Sequence, residues 1–307
     1  MERHDNGNER RRGPVTADNT NTIHFGVKTT QYAPYEDILR VWREAETIPS
    51  IESAWLFDHP MPIFRADPGG PCLDGWTLLA ALAAQTQRLR LGLMVASNLN
   101  QTPQWLAKRA ATVDVISGGR LEFGLGAGGG EERERLAYGT PTYSAGELVG
   151  RLGEACEIIR RLWSEPVVDY SGHYYQVVQA YCAPKPVQRP MPPFVLGGVG
   201  EQRTLRIVAR YADIWNYPRY PLGTVEEFQH KSQLLDQYCA EIGRDPATIA
   251  RSVQILIDSH EDPTPTRELV RGFIATGATH LVLAPRGLSD GIAHWIDEEI
   301  IQPMRNR

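Results

Sequence analysis

The sequence lacks most of the features that would mark a function outright. Its 4 cysteines, Cys72, Cys156, Cys182 and Cys239, stand far apart and form no Cys-x-x-Cys pair. That argues against a structural zinc site or a dithiol redox motif, and no metal is expected. Scattered free thiols suit a reducing compartment. No serine occupies a Gly-x-Ser-x-Gly elbow and no Cys–His pair stands out, so nucleophilic hydrolysis has no support. No apolar run approaches the roughly 18 to 20 residues needed to cross a bilayer, and the mean hydropathy is −0.35. A sustained basic block is missing too: Lys plus Arg number 32 against 37 Asp plus Glu, a net charge of −5. Nucleic acid and membrane are therefore not expected partners. The opening residues lack the apolar core of a secretory signal, and a cytoplasmic location is expected.

What is present is a chain of 307 residues, 42% of them apolar, enough for one large domain or two modest ones. Residues 1–22 are polar, with four acids and four arginines and little to bury, and are expected to form a disordered arm. From Ile23 to Arg307 short apolar runs alternate with amphipathic stretches, the pattern of repeated βα units. Strands are expected over residues 23–28, 54–57, 89–95, 121–125, 194–196, 213–215, 253–257 and 281–283. Helical spacing links Leu106, Ala110 and Val113, then Leu152, Cys156, Ile159 and Trp163, and later Phe228, Leu235 and Tyr238. Asp74 is placed to cap one helix, Thr224 and Glu227 to form a capping box, and Gly243 to end the helix that box begins. Eight strands alternating with helices predict an α/β fold, a (β/α)8 TIM barrel in one domain. The surplus length between Gly126 and Pro193, a long helix near 147–163 and a Pro-rich stretch, predicts an insertion after strand 4.

Three motifs sit at strand ends. Gly124 to Gly129 spell a GxGxxG, but the following Gly130, Glu131, Glu132, Arg133, Glu134 and Arg135 make no apolar helix face. A Rossmann turn requires one, so these glycines fit close backbone approach to a flat ligand better. Gly197, Gly198, Val199 and Gly200 lead into a helix through Gln202 and Arg203, an arrangement suited to an anion. Asp58–His59 directly follows the AWLF strand, where an imidazole oriented by a carboxylate could exchange protons near neutral pH; a capping Asp beside a structural His is the plain alternative.

Taken together, IHFGVKTTQ, SAWLFDHPMP, DGWTLLAALAAQTQRLRLGLMV, LAKRAATVDVISGGRLEFGLGAG, YGTP and FVLGGVG with RIVARYADIWN resemble the luciferase-like flavin or deazaflavin oxidoreductases, especially their F420-dependent branch. The resemblance implies a (β/α)8 barrel, often a homodimer, that transfers hydride between coenzyme F420 and a small organic substrate. An FMN-linked monooxygenase using reduced flavin and oxygen is the alternative cofactor reading, and a diverged, non-catalytic ligand-binding barrel is the third. By the same resemblance Asp58, His59, Ser97 and Asn98 lie beside the deazaflavin ring. Gly126, Ala127 and Gly128 form the strand-four loop, Gly197, Gly198, Val199, Gly200, Gln202 and Arg203 the phosphate-side loop, and Trp215 and Asn216 the end of strand six.

The sequence departs from the family pattern at three places. Gln101 stands where an Arg is usual, Gly129 where a Trp is usual, and Arg135 replaces the His of a Glu-His pair. An extra glycine leaves the preceding acid as Glu132 or Glu134; Glu132 is taken with His59 and Asp58 as the catalytic set. These changes surround the expected pocket and suggest a site reshaped for one specialised substrate, as in a biosynthetic pathway.

Overall fold

The computed structural model describes residues 22–63, 67–130, 132–218 and 223–305. All but the last residue of the expected arm falls outside these. Among the described residues eleven strands are formed: β1 (His24–Lys28), β2 (Ile51–Leu56), β3 (Arg90–Leu93), β4 (Ala96–Ser97), β5 (Phe123–Gly126), β6 (Val168–Ser171), β7 (Gln176–Ala180), β8 (Phe194–Gly197), β9 (Ile214–Tyr217), β10 (Ala250–Ile257) and β11 (His280–Pro285). Between them run α1 (Tyr35–Thr47), α2 (Gly75–Gln85), α3 (Pro103–Ser117), α4 (Glu132–Ala137), α5 (Ala145–Ser164), α6 (Thr204–Tyr211), α7 (Val225–Glu241), α8 (Thr264–Ala275) and α9 (Ile292–Ile296).

Nine strands pair in the order β3-β2-β1-β11-β10-β9-β8-β5-β4, every pair parallel. The two ends of that order are halves of one strand, interrupted at Met94–Val95, where the peptide is cis. A bridge between Leu91 and Leu121 joins the ends, with Leu91 N donating to Arg120 O at 3.0 Å and Glu122 N to Leu91 O at 2.8 Å. The result is the expected (β/α)8 barrel. The expected third strand, 89–95, is corrected to these two pieces. The insertion after β5 holds α4, α5 and an antiparallel hairpin, β6 with β7. The hairpin was not legible in VVDYSGHYYQ because its strands bury only Val168 and Val177 and their register shifts between Val168 and Tyr170.

The pleat sorts side chains into two cores. Facing the helices are Phe25, Val27, Phe123, Phe194, Trp215 and Tyr217, all essentially buried. Phe123, Phe194 and Trp163 meet edge to face at 5.1 to 5.4 Å, tying α5 to β5 and β8. Inside the barrel a small apolar ring, Trp55, Met94, Val195, Ile214 and Val282, is threaded by polar groups. His280 Nδ1 meets Ser252 Oγ at 2.9 Å, Asn216 Nδ2 donates to Ser252 Oγ at 3.1 Å, and Gln254 Nε2 donates to Asn216 Oδ1 at 2.7 Å. Burial drops His280 to about 4, so at neutral pH it serves this chain uncharged.

Helix ends follow the sequence signals. Asp74 accepts from Thr77 N at 2.8 Å. Thr224 Oγ1 accepts from Glu227 N at 3.1 Å, but the expected box is only half made, because the Glu227 carboxylate accepts from Tyr217 OH at 2.9 Å instead. The reciprocal box lies at Ser144 and Glu147. Gly243, at φ 69°, follows the end of α7. Among the described residues no helix is long and apolar enough to cross a membrane.

Candidate active site

Parallel strands in a barrel present all their C-terminal ends on one face, and there a cavity of about 1000 Å3 opens, lined from all eight strand positions. At the end of β2, Asp58 is only 8% exposed. Its Oδ2 accepts from Ser97 N at 2.8 Å, and its carbonyl accepts from Asn100 Nδ2 at 3.1 Å, locking the β2 and β4 ends together. Burial pushes the Asp58 carboxyl up to about 7, while the Ser97 N–H pulls the other way.

The neighbouring His59 turns to α4. Its Nδ1 lies 3.0 and 3.1 Å from the two carboxylate oxygens of Glu134, which is itself 7% exposed. A carboxylate only accepts, so Nδ1 carries the proton and Nε2 is left to exchange one. The surrounding loop is tied down by Cys72 Sγ donating to His59 O at 3.2 Å and by Tyr138 OH donating to Pro60 O at 3.0 Å.

Opposite these groups the wall is nearly all backbone. A Cβ on Gly126 would come within 2.8 Å of Val95, and one on Gly197 within 3.0 Å of the same side chain. Gly128 has φ 84° and would put a Cβ 2.6 Å from Leu99. At these three glycines Val95 or Leu99 packs so close to the backbone that no Cβ fits, so bare backbone lines the cavity there. The floor is polar: Lys28 Nζ donates to Gln254 Oε1 at 2.6 Å and to Met94 O at 3.0 Å, and Asn216 lies beside Gln254.

Of the residues singled out in the sequence, the cavity brings together Asp58, His59, Ser97, Gly126, Ala127, Gly128, Gly197, Gly198 and Asn216. Others are placed elsewhere. Glu132 is exposed on α4, and the acid that reaches His59 is Glu134, two residues on and on the other side of the helix. Trp215 points outward because its neighbour Asn216 points inward. It stacks on Phe228 at 5.6 Å and 3° and donates from Nε1 to Gly198 O at 2.8 Å, so it steadies a cavity residue from behind. Asn98 is buried behind Ser97, donating to Tyr175 OH at 3.1 Å. Val199, Gly200, Gln202 and Arg203 lie outside the cavity, the last three exposed, and Arg203 reaches Gly146 O at 3.4 Å. From that loop only Gly197, Gly198 and Thr204 reach the cavity.

Two of the three departures border the cavity and Gln101 does not. Gly129 and Arg135 line it, with the Arg135 guanidinium donating to Gly130 O. Gln101 and Asn98 each keep a buried oxygen without a hydrogen-bond partner. Lys28, Thr204, Gln254 and Arg286 line the cavity without having been singled out. The signal for Lys28 and Gln254 was a polar residue at an inward position near the C-terminal end of an apolar strand.

The profile of the luciferase-like monooxygenase family matches residues 20–303. A Mycobacterium tuberculosis protein of uncharacterised function is 33% identical over 189 residues, 61% of this chain and 64% of that one. An F420-dependent glucose-6-phosphate dehydrogenase of Kineococcus radiotolerans is 30% identical over 225 residues, 72% of this chain and 64% of that one. The chain thus spans about 64% of the length of both relatives. Among solved structures, an F420-dependent secondary alcohol dehydrogenase in complex with an F420-acetone adduct superposes with a TM-score of 0.80 at 17% identity, over 93% of this chain and all of that one. At that identity the likeness shows the fold alone. With the family profile covering nearly the whole chain, the protein belongs to the luciferase-like monooxygenase family.

Proposed function

We propose that this protein is an F420-dependent oxidoreductase acting on a small organic substrate. The observation that carries the reading is the His59–Glu134 pair on the same cavity as a wall of bare glycine backbone. The residues fit a deazaflavin. Three lining positions are glycine with no room for a Cβ, so a ligand there would meet backbone, and the volume accommodates a ring system together with a small second molecule. Gly126, Gly128 and Gly197 would leave room for the ring, Asp58 and Ser97 would border it, and Thr204 at the start of α6 would meet the tail. When bound, F420 supplies a hydride donor or acceptor at carbon five.

The chain's own part is position and proton. Glu134 fixes the His59 tautomer, so that Nε2 can give or take the proton that accompanies hydride transfer. Asp58, pushed by burial up to about 7, holds its proton far above the usual carboxylate range and can present a donor as well as an acceptor. The F420-dependent relative at 30% identity supports this cofactor. The family's own description, a monooxygenase, favours FMN as a second reading. A homodimer and a cytoplasmic setting belong to the same proposal, as does a specialised biosynthetic substrate.

Titrating F420 and FMN separately into the protein while following tryptophan fluorescence decides between them. Saturable quenching by F420 alone supports the proposal. Saturation by FMN alone replaces it with the flavin reading. No response to either favours a ligand-binding barrel without catalysis.

A further inference from the structure

The wall built by β1, β10 and β11 carries positive charge that the described residues leave uncompensated. Lys28, the last residue of β1, gives two of its three N–H groups to uncharged acceptors, Met94 O and Gln254 Oε1. The ammonium also lies 5.9 Å from the centroid of the Phe57 ring, a contact that brings no formal negative charge. Burial alone lowers its ammonium to about 8, with no neighbouring acid to hold it up.

Arg286 lies on the adjoining strand. Val27 pairs with Leu283, which sets Lys28 level with Ala284. Arg286 then continues the inward alternation of His280, Val282 and Ala284 by two residues, about 7 Å further toward the mouth. Its backbone is fixed by Arg286 N donating to Ile257 O at 3.0 Å. Its exposed guanidinium has no acidic partner among the described residues, although it lines the cavity. Between and beside the two cations stand Thr30, Leu256, Ala284 and Pro285, none of them charged. The acids of the cavity, Asp58 after the adjoining strand β2 and Glu134 on α4, are engaged with Ser97 N and His59. Arg135, also on α4, is engaged with Gly130 O.

An enclosed ammonium without a counter-charge is costly. The counter-charge can come from the ligand. We propose that the substrate is an organic anion whose carboxylate or phosphoryl group is held by Lys28 and Arg286, with its less polar body extending across Met94 and Leu256 toward His59. This deepens the reading of the cavity as an oxidoreductase site and rests on it. It names the substrate class: an acid carrying an oxidisable or reducible carbon at some distance from its anionic group.

The test uses the full chain without cofactor and three probes at fixed ionic strength: 4-phenylbutanoate, its neutral amide, and inorganic phosphate. Calorimetric titration should show the carboxylate binding at least about tenfold more tightly than the amide, as expected of a charge-assisted pair in a sheltered site. Phosphate should compete with it if the pocket accepts phosphoryl groups as well as carboxylates. Arg286→Gln, an exposed change that should leave folding intact, is expected to weaken the carboxylate about three- to tenfold while leaving the amide unchanged. Lys28→Met should remove the remaining preference. Equal binding of acid and amide, no binding of the acid, or indifference to Arg286→Gln would each overturn the proposal. F420 is then titrated into Arg286→Gln and Lys28→Met. Unchanged cofactor affinity assigns the anion to the substrate; a loss of about tenfold assigns the two cations to the cofactor's own acidic tail and overturns the proposal. If neither F420 nor FMN binds the unaltered protein, the oxidoreductase reading fails by itself, while the carboxylate–amide comparison still reports on the anion site.

Discussion

The two walls of the cavity are built on different principles. On the β2–β4–α4 side every acid is answered. Asp58 is held by the Ser97 amide, and Glu134 by the His59 ring. On the β1–β10–β11 side Lys28 meets only neutral acceptors, and Arg286 meets no acid among the described residues. A wall whose charges are internally satisfied is prepared for chemistry, because its proton positions are set before anything binds. A wall whose charges are left open is prepared for recognition, because the ligand must complete it. The two walls meet directly where β1 pairs with β2; on the other side of the barrel the glycines of β5 and β8 lie between them and hold neither charge nor bulk.

The largest expected effect tests the satisfied wall. His59→Ala should lower turnover by about 10²- to 10⁴-fold, the usual range for removing a general acid or base, while F420 affinity stays within about threefold of the parent. Steady-state kinetics alongside cofactor titration checks it, and unchanged turnover would take His59 out of the mechanism. Glu134→Gln should follow with a smaller loss. The carboxylate's hydrogen bond to the ring is worth on the order of 1–3 kcal/mol, so turnover should fall about five- to hundredfold. The paired change Glu132→Gln should do nothing measurable, since Glu132 is exposed on α4. Reversal of that order would restore Glu132 to the site.

Asp58→Asn addresses the cost of keeping an acid on that wall, and its sign can be worked out. Asp58 is raised in the fold to about 7 from an ordinary 3.8. The charged form is therefore disfavoured when folded. The penalty is absent below pH 3.8, grows as pH rises between the two values, and is complete above 7. Asn keeps an oxygen for the Ser97 N–H, so the substitution should stabilise the cofactor-free protein at pH 8 by up to about 4 kcal/mol, with the gain fading toward pH 4. Thermal denaturation at the two pH values checks it; a gain of equal size at both would show that titration of Asp58 is not its source.

The smallest effect concerns the separating glycines. Gly126→Ala should cost about 1–2 kcal/mol of stability through the clash with Val95, yet weaken cofactor binding by more than that figure converts to. A stability loss with unchanged cofactor affinity would show that the space over Val95 holds no ring.

The barrel was largely legible from sequence, because each βα unit writes its own signal. The apolar runs ending at Lys28 and Phe57 and the helix begun by Asp74 are local patterns, governed by pleat period and helix capping. The hairpin β6–β7 was not legible, since each strand buries a single valine, Val168 or Val177, too little to write an alternating pattern. Asp58 and His59 were legible at a strand end beside an apolar run, whereas Ser97 and Asn216 were pointed to only by the family resemblance. The site was misread where direction mattered. Trp215 and Asn216 are adjacent, and only the inward pleat of β9 says that Asn216 faces the cavity while Trp215 stacks on Phe228.

By itself, then, the sequence determined the alternation of elements, the strand ends that could bear function and the glycine positions, all of which depend on residues within a few places of one another. Tertiary structure alone decided that Glu134 and not Glu132 meets His59 across 75 positions of chain. It alone decided that Lys28 meets Gln254 across 226, and that the two walls differ in charge balance. Those facts depend on barrel closure and on helix rotation, which sum many weak contacts and are written at no single place in the chain.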